Sequence, residues 1–229
     1  MTVVDEHLRI RQRDERKVFV AVTVAAALVA AGTWTVLFGA AYSAYLEYEP
    51  MEGDLVFQSL PHSALVNAIE GATDSPFSHC GIVANRDGQW CVVEAFRGVE
   101  VTPLREFIFR GRNQGFAIFR LHEAHRKHIP AMIDRAGDFI GRPYDSRYRL
   151  DDERIYCSEL IYKACEATPI HTLGELVQLQ NLRWEPFRKT IQHFEGGPVP
   201  LERKVITPKD IARDSKLACV FVHAIEVKE

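Results

Sequence analysis

The chain has 229 residues, 47% of them hydrophobic and 26% charged, with a formal net charge of −3. That balance suits a globular fold and excludes wholesale disorder, and the lack of a basic surplus gives no field for nucleic acid. The five cysteines, Cys80, Cys91, Cys157, Cys165 and Cys219, are odd in number and widely spaced, with no C-x-x-C pair, which excludes a zinc knuckle or a thioredoxin motif.

Residues 1–17 read as a short polar N-terminus. From Val18 to Leu46 the chain runs "VFVAVTVAAALVAAGTWTVLFGAAYSAYL" without a charged residue. A bilayer core needs about 20 apolar residues in a helix, so 18–46 predicts one transmembrane helix. Tyr42, Tyr45 and Tyr48 near its far end suit an interfacial belt. A cleaved signal peptide is the competing reading, with Gly39-Ala40-Ala41 as the small-residue site, but signal cores run only about 7–15 residues. Arg9, Arg11, Arg13, Arg16 and Lys17 precede the span, and no basic residue follows it until Arg86. The positive-inside rule then places the N-terminus in the cytoplasm and residues 47–229 outside, in the periplasm of a Gram-negative cell. Gly32 and Gly39 offer a small-residue surface for a partner helix, with lone anchoring as the default.

In the outer part, "EGDLVFQS" (52–59) predicts a strand and 62–73 a helix, with Leu65, Ala68 and Ile69 at helical spacing. "SPFSHCGIVANRDGQWCVVEAF" (75–96) predicts a β-hairpin around Asn85–Gly88. A strand and a short Pro-capped segment follow over 99–110, and another strand over 115–121. Helix punctuation frames 129–141, with Pro130 in the first turn and Gly141 before Pro143 at the stop. A polar loop leads to a helix beginning at Cys157. Residues 168–204 read as loops with one helix, and the C-terminus as a turn, a short helix and a final strand. Strands and helices in segregated runs imply an α+β fold.

Cys157 opens its helix in "RIYCSELIYKACEA". A cysteine there is either inert packing or a nucleophile, and a nucleophile needs a base. Cys165, further along, reads as packing. With a four-residue loop at 85–88 the hairpin register sets His79 opposite Glu94, so that a carboxylate would hold an imidazole. A three-residue loop would instead set His79 opposite Ala95 and send Glu94 to the other face. His122, His125 and His128 recur in "LHEAHRKHI", but H-E-A-H is one residue short of H-E-x-x-H, so a solvated linker is expected there. His62, His171 and His193 carry no partner signal, and His223 falls in the last strand. The residues alone leave both readings of Cys157 open.

In chain order, "GDLVFQS", "SPFSHCGIV", "VVEAF", "GRPYD", "YCSELIYKA" and "VITPKDIARDSKL" resemble the permuted papain-like cysteine hydrolases, the YiiX/YebB-like branch of the NlpC-type superfamily. The resemblance covers about residues 50–222, and His79 precedes Cys157 as circular permutation implies. It implies a small antiparallel sheet or barrel with the cysteine helix packed on it. It makes Cys157 the nucleophile, His79 the base and Glu94 the orienting residue, with Tyr156, Tyr144 and Ser78 as substrate-side candidates and no metal or organic cofactor. Cys80 and Cys91 are expected as reduced diagonal neighbours on the hairpin face opposite His79. The implied activity is a membrane-anchored amidase, esterase or acyltransferase acting on an acylated lipid or an N-acyl or peptide amide at the envelope. A peptidoglycan stem-peptide endopeptidase and an inactive papain-like binding module are the alternatives.

Overall fold

The structure, a computed structural model, describes residues 22–24, 26, 39–166 and 168–226. The chain divides between Glu47 and Tyr48 into two compact units. In the first, helix α1 covers 39–47, where the Ser43 hydroxyl donates to Glu47 at 3.0 Å. Most of the expected span 18–46 lies outside the described residues, and among those described no helix is long and apolar enough to cross a membrane.

The second unit is built on a six-stranded antiparallel sheet in the order β4-β3-β2-β1-β5-β8. Its strands are β1 (Leu55–Gln58), β2 (His79–Arg86), β3 (Gln89–Ala95), β4 (Val99–Pro103), β5 (Phe116–Leu121) and β8 (Leu217–His223). Alternate residues of a strand face opposite sides of its sheet. Here both sides of the central strands are covered, so β1 is buried at all four positions. Leu55, Phe57, Cys80, Ile82 and Val93 belong to a core shared with α5 (Ile129–Gly137) and α6 (Cys157–Glu166). On the other side His79 stacks on Phe107 of α3 (Leu104–Arg110).

Helix α2 (Ala64–Thr73) starts where Ser63 accepts the Val66 N–H at 3.1 Å, a side-chain cap satisfying one of the orphan donors of a first turn. The segment 99–110 becomes β4 and α3, and the expected linker at 122–128 holds a short helix, α4 (Glu123–Arg126). The helix expected over 129–141 stops at Gly137. The chain then turns, with Gly141 at φ +90°. Residues 168–204 hold α7 (Arg188–Glu195) and part of a small ladder between β6 (Val177–Gln178) and β7 (Lys204–Val205). Helix α8 (Pro208–Ala212) is closed by a reciprocal cap between Thr207 and Asp210.

The hairpin register differs from the expected one. Arg86 pairs with Gln89 and Asn85 with Trp90, so the loop is Asp87-Gly88 alone. Both residues have positive φ, +52° and +81°. That is the two-residue turn whose twist matches the flanking strands and which Asp-Gly favours. Asn85 Oδ1 accepts the Gly88 N–H at 3.0 Å. Glu94 therefore lies opposite Gly81, not His79. A slip of two residues keeps every side chain on its face, so His79 and Glu94 remain on one face as diagonal neighbours. A Cβ on Gly81 would come within 2.4 Å of Val92 Cγ1 and 3.2 Å of the Glu94 Cβ, so only glycine fits there. The same shift sets Cys91 opposite Ala84. Cys80 and Cys91 are thus not diagonal neighbours, and both are free, buried thiols.

Gly88 has open space around its Cα, so a side chain there costs backbone strain alone. Gly88→Ala is expected to lower stability by about 1 kcal/mol, read as a shift of the urea midpoint; an unchanged midpoint would refute the turn.

Candidate active site

Three elements meet at the start of β2. His79 is its first residue, Glu94 projects from β3 on the same face, and Cys157 is the first residue of α6. His79 and Cys157 are each 2% exposed and Glu94 is 0% exposed. His79 Nε2 lies 2.5 Å from Glu94 Oε2. The ring stacks on Phe107 (5.4 Å between centroids, 26°) and meets the edge of Phe96 (5.7 Å). With Nε2 held by the carboxylate, Nδ1 is the nitrogen left for the thiol.

The ionisation states follow from this packing. Burial opposes charging of His79, but hydrogen bonds with Cys157 and Glu94, and their charges, outweigh it and lift the imidazole to about 9. The Cys157 thiol is held well below the ordinary thiol range, first by hydrogen bonding from the Cys80 side chain, then, against burial, by hydrogen bonding and charge from His79, with the Cys80 backbone adding to it. Cys80 itself is pushed well up by burial and by the neighbouring Cys157, so it stays a thiol and can donate. Burial raises Glu94, yet His79 and then Arg110 bring its net shift downward. These shifts run in the direction that favours a thiolate beside an imidazolium, with a carboxylate behind the ring.

Several members carry no signal in the sequence. Arg110, at the end of α3, reaches Glu94 Oε2 at 2.5 Å and lies 3.9 Å over the Phe96 ring. Cys80 follows His79 in the strand, so its side chain belongs to the opposite face, and only the position of α6 brings it to Cys157. Tyr148, at φ +56°, shares a 3.1 Å hydrogen bond between hydroxyls with Tyr144. Burial and, among other charges, that of Cys157 raise both phenols. The spacing "YDSRY" is the one hint of this pair.

The remaining expected site residues are placed as follows. Tyr144 is half-buried beside the thiol. Tyr156 is fully buried, its ring 4.6 Å from that of Tyr148 and its hydroxyl accepting the Ile206 N–H at 3.1 Å, which makes it part of the core. Ser78 Oγ accepts the Leu60 N–H at 2.9 Å and steadies the loop before His79. In the first turn of α6, Glu159 is buried, accepts the Tyr156 N–H at 3.2 Å and lies 3.2 Å from Lys163 Nζ. Burial prevails over those partners and lifts its carboxyl to about 8.

The comparisons with known proteins can be set against this geometry. Residues 49–221 match the family described as permuted papain-like amidase enzyme, YaeF/YiiX, C92 family. The chain belongs to this family. The uncharacterized protein YiiX of Escherichia coli strain K12 is 28% identical over 180 residues, which is 76% of this chain and 87% of YiiX. A crystal structure of yiiX from Escherichia coli O157:H7, described as a metalloprotein, aligns with a TM-score of 0.72 and 28% identity over 77% of this chain and 99% of its own. Among the described residues here, no three His, Cys, Asp or Glu side chains group as metal ligands. Membership in a family of papain-like amidases supports hydrolase activity for the chain.

Two outcomes are expected. Iodoacetamide labelling of Cys157, followed by peptide mass spectrometry, should stay fast far below the free-thiol pKa of about 8.5. Cys80→Ala should raise the midpoint by about one unit, roughly tenfold slower labelling at acid pH; an unmoved midpoint would remove Cys80 from the site. For Glu159, the folded-state value of about 8 exceeds the ordinary 4.5, so protonation favours the fold. That stabilisation is complete below 4.5 and lost as pH rises through about 8. Glu159→Gln should match the wild-type urea midpoint near pH 4 and exceed it above pH 8.

Proposed function

We propose that the chain is a membrane-anchored cysteine acyl hydrolase that cleaves an amide or ester of an acylated envelope molecule through Cys157, His79 and Glu94. The observation that carries this reading is the hydrogen-bonded contact of buried His79 with Glu94, on a ring that also hydrogen-bonds the Cys157 thiol. The anchor rests on the uncharged stretch from Val18 to Leu46 and its basic N-terminal flank, with residues 47–229 outside the cytoplasm.

In the reaction, the Cys157 thiolate attacks the carbonyl carbon and the electron pair moves onto the carbonyl oxygen. The first turn of α6, where N–H groups lack intrahelical acceptors, stabilises the oxyanion. As the C–N or C–O bond breaks, the His79 imidazolium gives its proton to the leaving amine or alcohol, and a thioester remains on Cys157. Neutral His79 then takes a proton from water, whose oxygen attacks the thioester. The acid leaves, and the thiolate–imidazolium pair is restored. Glu94 holds the ring and favours its charged form throughout.

The test is to incubate the full chain and Cys157→Ala with separated lipid and muropeptide fractions of a bacterial envelope and follow products by mass spectrometry. Cys157-dependent release of a fatty acid or loss of an acylated lipid is expected. Cys157-dependent cleavage of stem peptides would replace the acyl substrate with a wall peptide, and activity retained in Cys157→Ala would remove the nucleophile. The rate should fall as pH rises past about 9, when His79 loses the proton owed to the leaving group. Glu94→Gln should lower kcat by about 10²-fold; an unchanged pH limb in that variant would detach Glu94 from His79.

A further inference from the structure

A second sulfur sits against Cys157. Cys80, on β2, is fully buried, and its side chain is hydrogen-bonded to Cys157 at the start of α6. Both are free thiols, brought together because α6 packs on the Cys80 face of the sheet. The other three cysteines are elsewhere. The Cys91 thiol donates to the Ala84 carbonyl at 3.3 Å, further along the hairpin. Cys165 is eight residues past Cys157, about 12 Å along α6. Cys219 is exposed on the edge strand β8.

Acyl hydrolysis gives Cys80 no step of its own. It can donate to the Cys157 thiolate, but a thiol is a weak donor, and a serine hydroxyl in the same place would hold that charge better. What a thiol adds is a sulfur able to attack an oxidised neighbour. The charges also set an order of events. Cys157 has the low-lying thiol, so an oxidant meets it first, while burial and the charge of Cys157 keep Cys80 neutral. Oxidation of Cys157 removes that charge, and with it one of the two restraints on Cys80. Burial selects the oxidant as well: neither sulfur is more than 2% exposed, which favours a small neutral reagent over a protein disulfide. Outside the cytoplasm, where the proposed orientation puts residues 47–229, such oxidants are met.

Taking Cys157 as the nucleophile proposed above, we infer that Cys80 and Cys157 form a redox couple, which hydrogen peroxide closes into a disulfide and a dithiol reopens. In the first step the Cys157 thiolate attacks one peroxide oxygen and the O–O bond breaks. The leaving hydroxide takes the His79 proton and departs as water, and Cys157 is left as a sulfenic acid. The Cys80 sulfur then attacks the Cys157 sulfur. The S–O bond breaks, and the hydroxide leaves with the Cys80 proton as a second water. Two thiols are oxidised by two electrons and one peroxide is reduced. The closed couple has no nucleophile, so the site is off, and Cys157 is kept from the irreversible sulfinic state.

The experiment treats the full chain with hydrogen peroxide and maps its peptides by mass spectrometry without reduction. Most of Cys157 should be recovered joined to the Cys80 peptide, with the loss of two hydrogens, and dithiothreitol should separate the two. Cys80→Ala should give no such cross-link and at least about tenfold more Cys157 carrying two added oxygens, a change that dithiothreitol does not reverse. Cys80→Ser, which keeps the size and a donor, should do the same. Equal sulfinic acid in wild type and Cys80→Ser would overturn the couple, as would a wild-type cross-link to Cys165 or none at all. The readout is mass, so it decides the couple whether or not the chain hydrolyses an acyl substrate, and loss of the couple leaves the hydrolase reading standing.

Discussion

A carboxylate without solvent sets the terms for this site. Glu94 is fully buried, and an unpartnered ion in such a place costs several kcal/mol. Two cations answer it at one oxygen: His79 from the neighbouring strand and Arg110 from α3. The arrangement is reciprocal. Glu94 stays ionised because of its cations, His79 keeps its proton because of Glu94 and Cys157, and Cys157 can lose its own proton because His79 holds one. Arg110 does more than balance charge. Stacked on Phe96, which also borders His79, it ties the carboxylate to the aromatic wall of the imidazole.

The position of Cys157 follows from the sheet. His79 and Cys80 are consecutive in β2, so their side chains leave opposite faces. Both nonetheless act on the same thiol. A group within reach of both must sit at the end of the strand, and the N-terminus of α6 does. The helix body packs into the core on the Cys80 side, while α3 covers the His79 side. One cysteine thus receives a charge-bearing partner from one face and a neutral thiol donor from the other. Cys80 stays neutral first because it is buried, and then because a second charge beside Cys157 would be repelled by the first.

Much of this was legible in the sequence. Short β-rich runs bounded by turn residues located the strands and the hairpin, and the ordered segments from "GDLVFQS" to "VITPKDIARDSKL" pointed to the family that the comparisons show. The His79–Glu94 pairing survived an error in register because side-chain facing repeats every two residues, and Asp87-Gly88 shortened the loop by two. A slip of one would have separated them. Arg110 and Cys80 were illegible for a physical reason: each joins the site through packing between elements, and no periodicity within one element encodes that. Residues 168–204 were hard to read because β6 and β7 are two residues long and short 3₁₀ turns intervene, too little chain for a period to emerge.

Burial of Cys157 has a consequence for access. The low-dielectric setting that strengthens the thiolate–imidazolium pair also closes it off, since neither Cys157 nor His79 is more than 2% exposed. α6 and the sheet block approach from the core side, and Phe96, Phe107 and Arg110 line the imidazole. The half-buried Tyr144 and Tyr148 interact with the thiol. Tyr148 is held in a left-handed backbone conformation that most side chains avoid. The chain tolerates that strain because Tyr144 bonds the Tyr148 hydroxyl and Tyr156 packs on its ring.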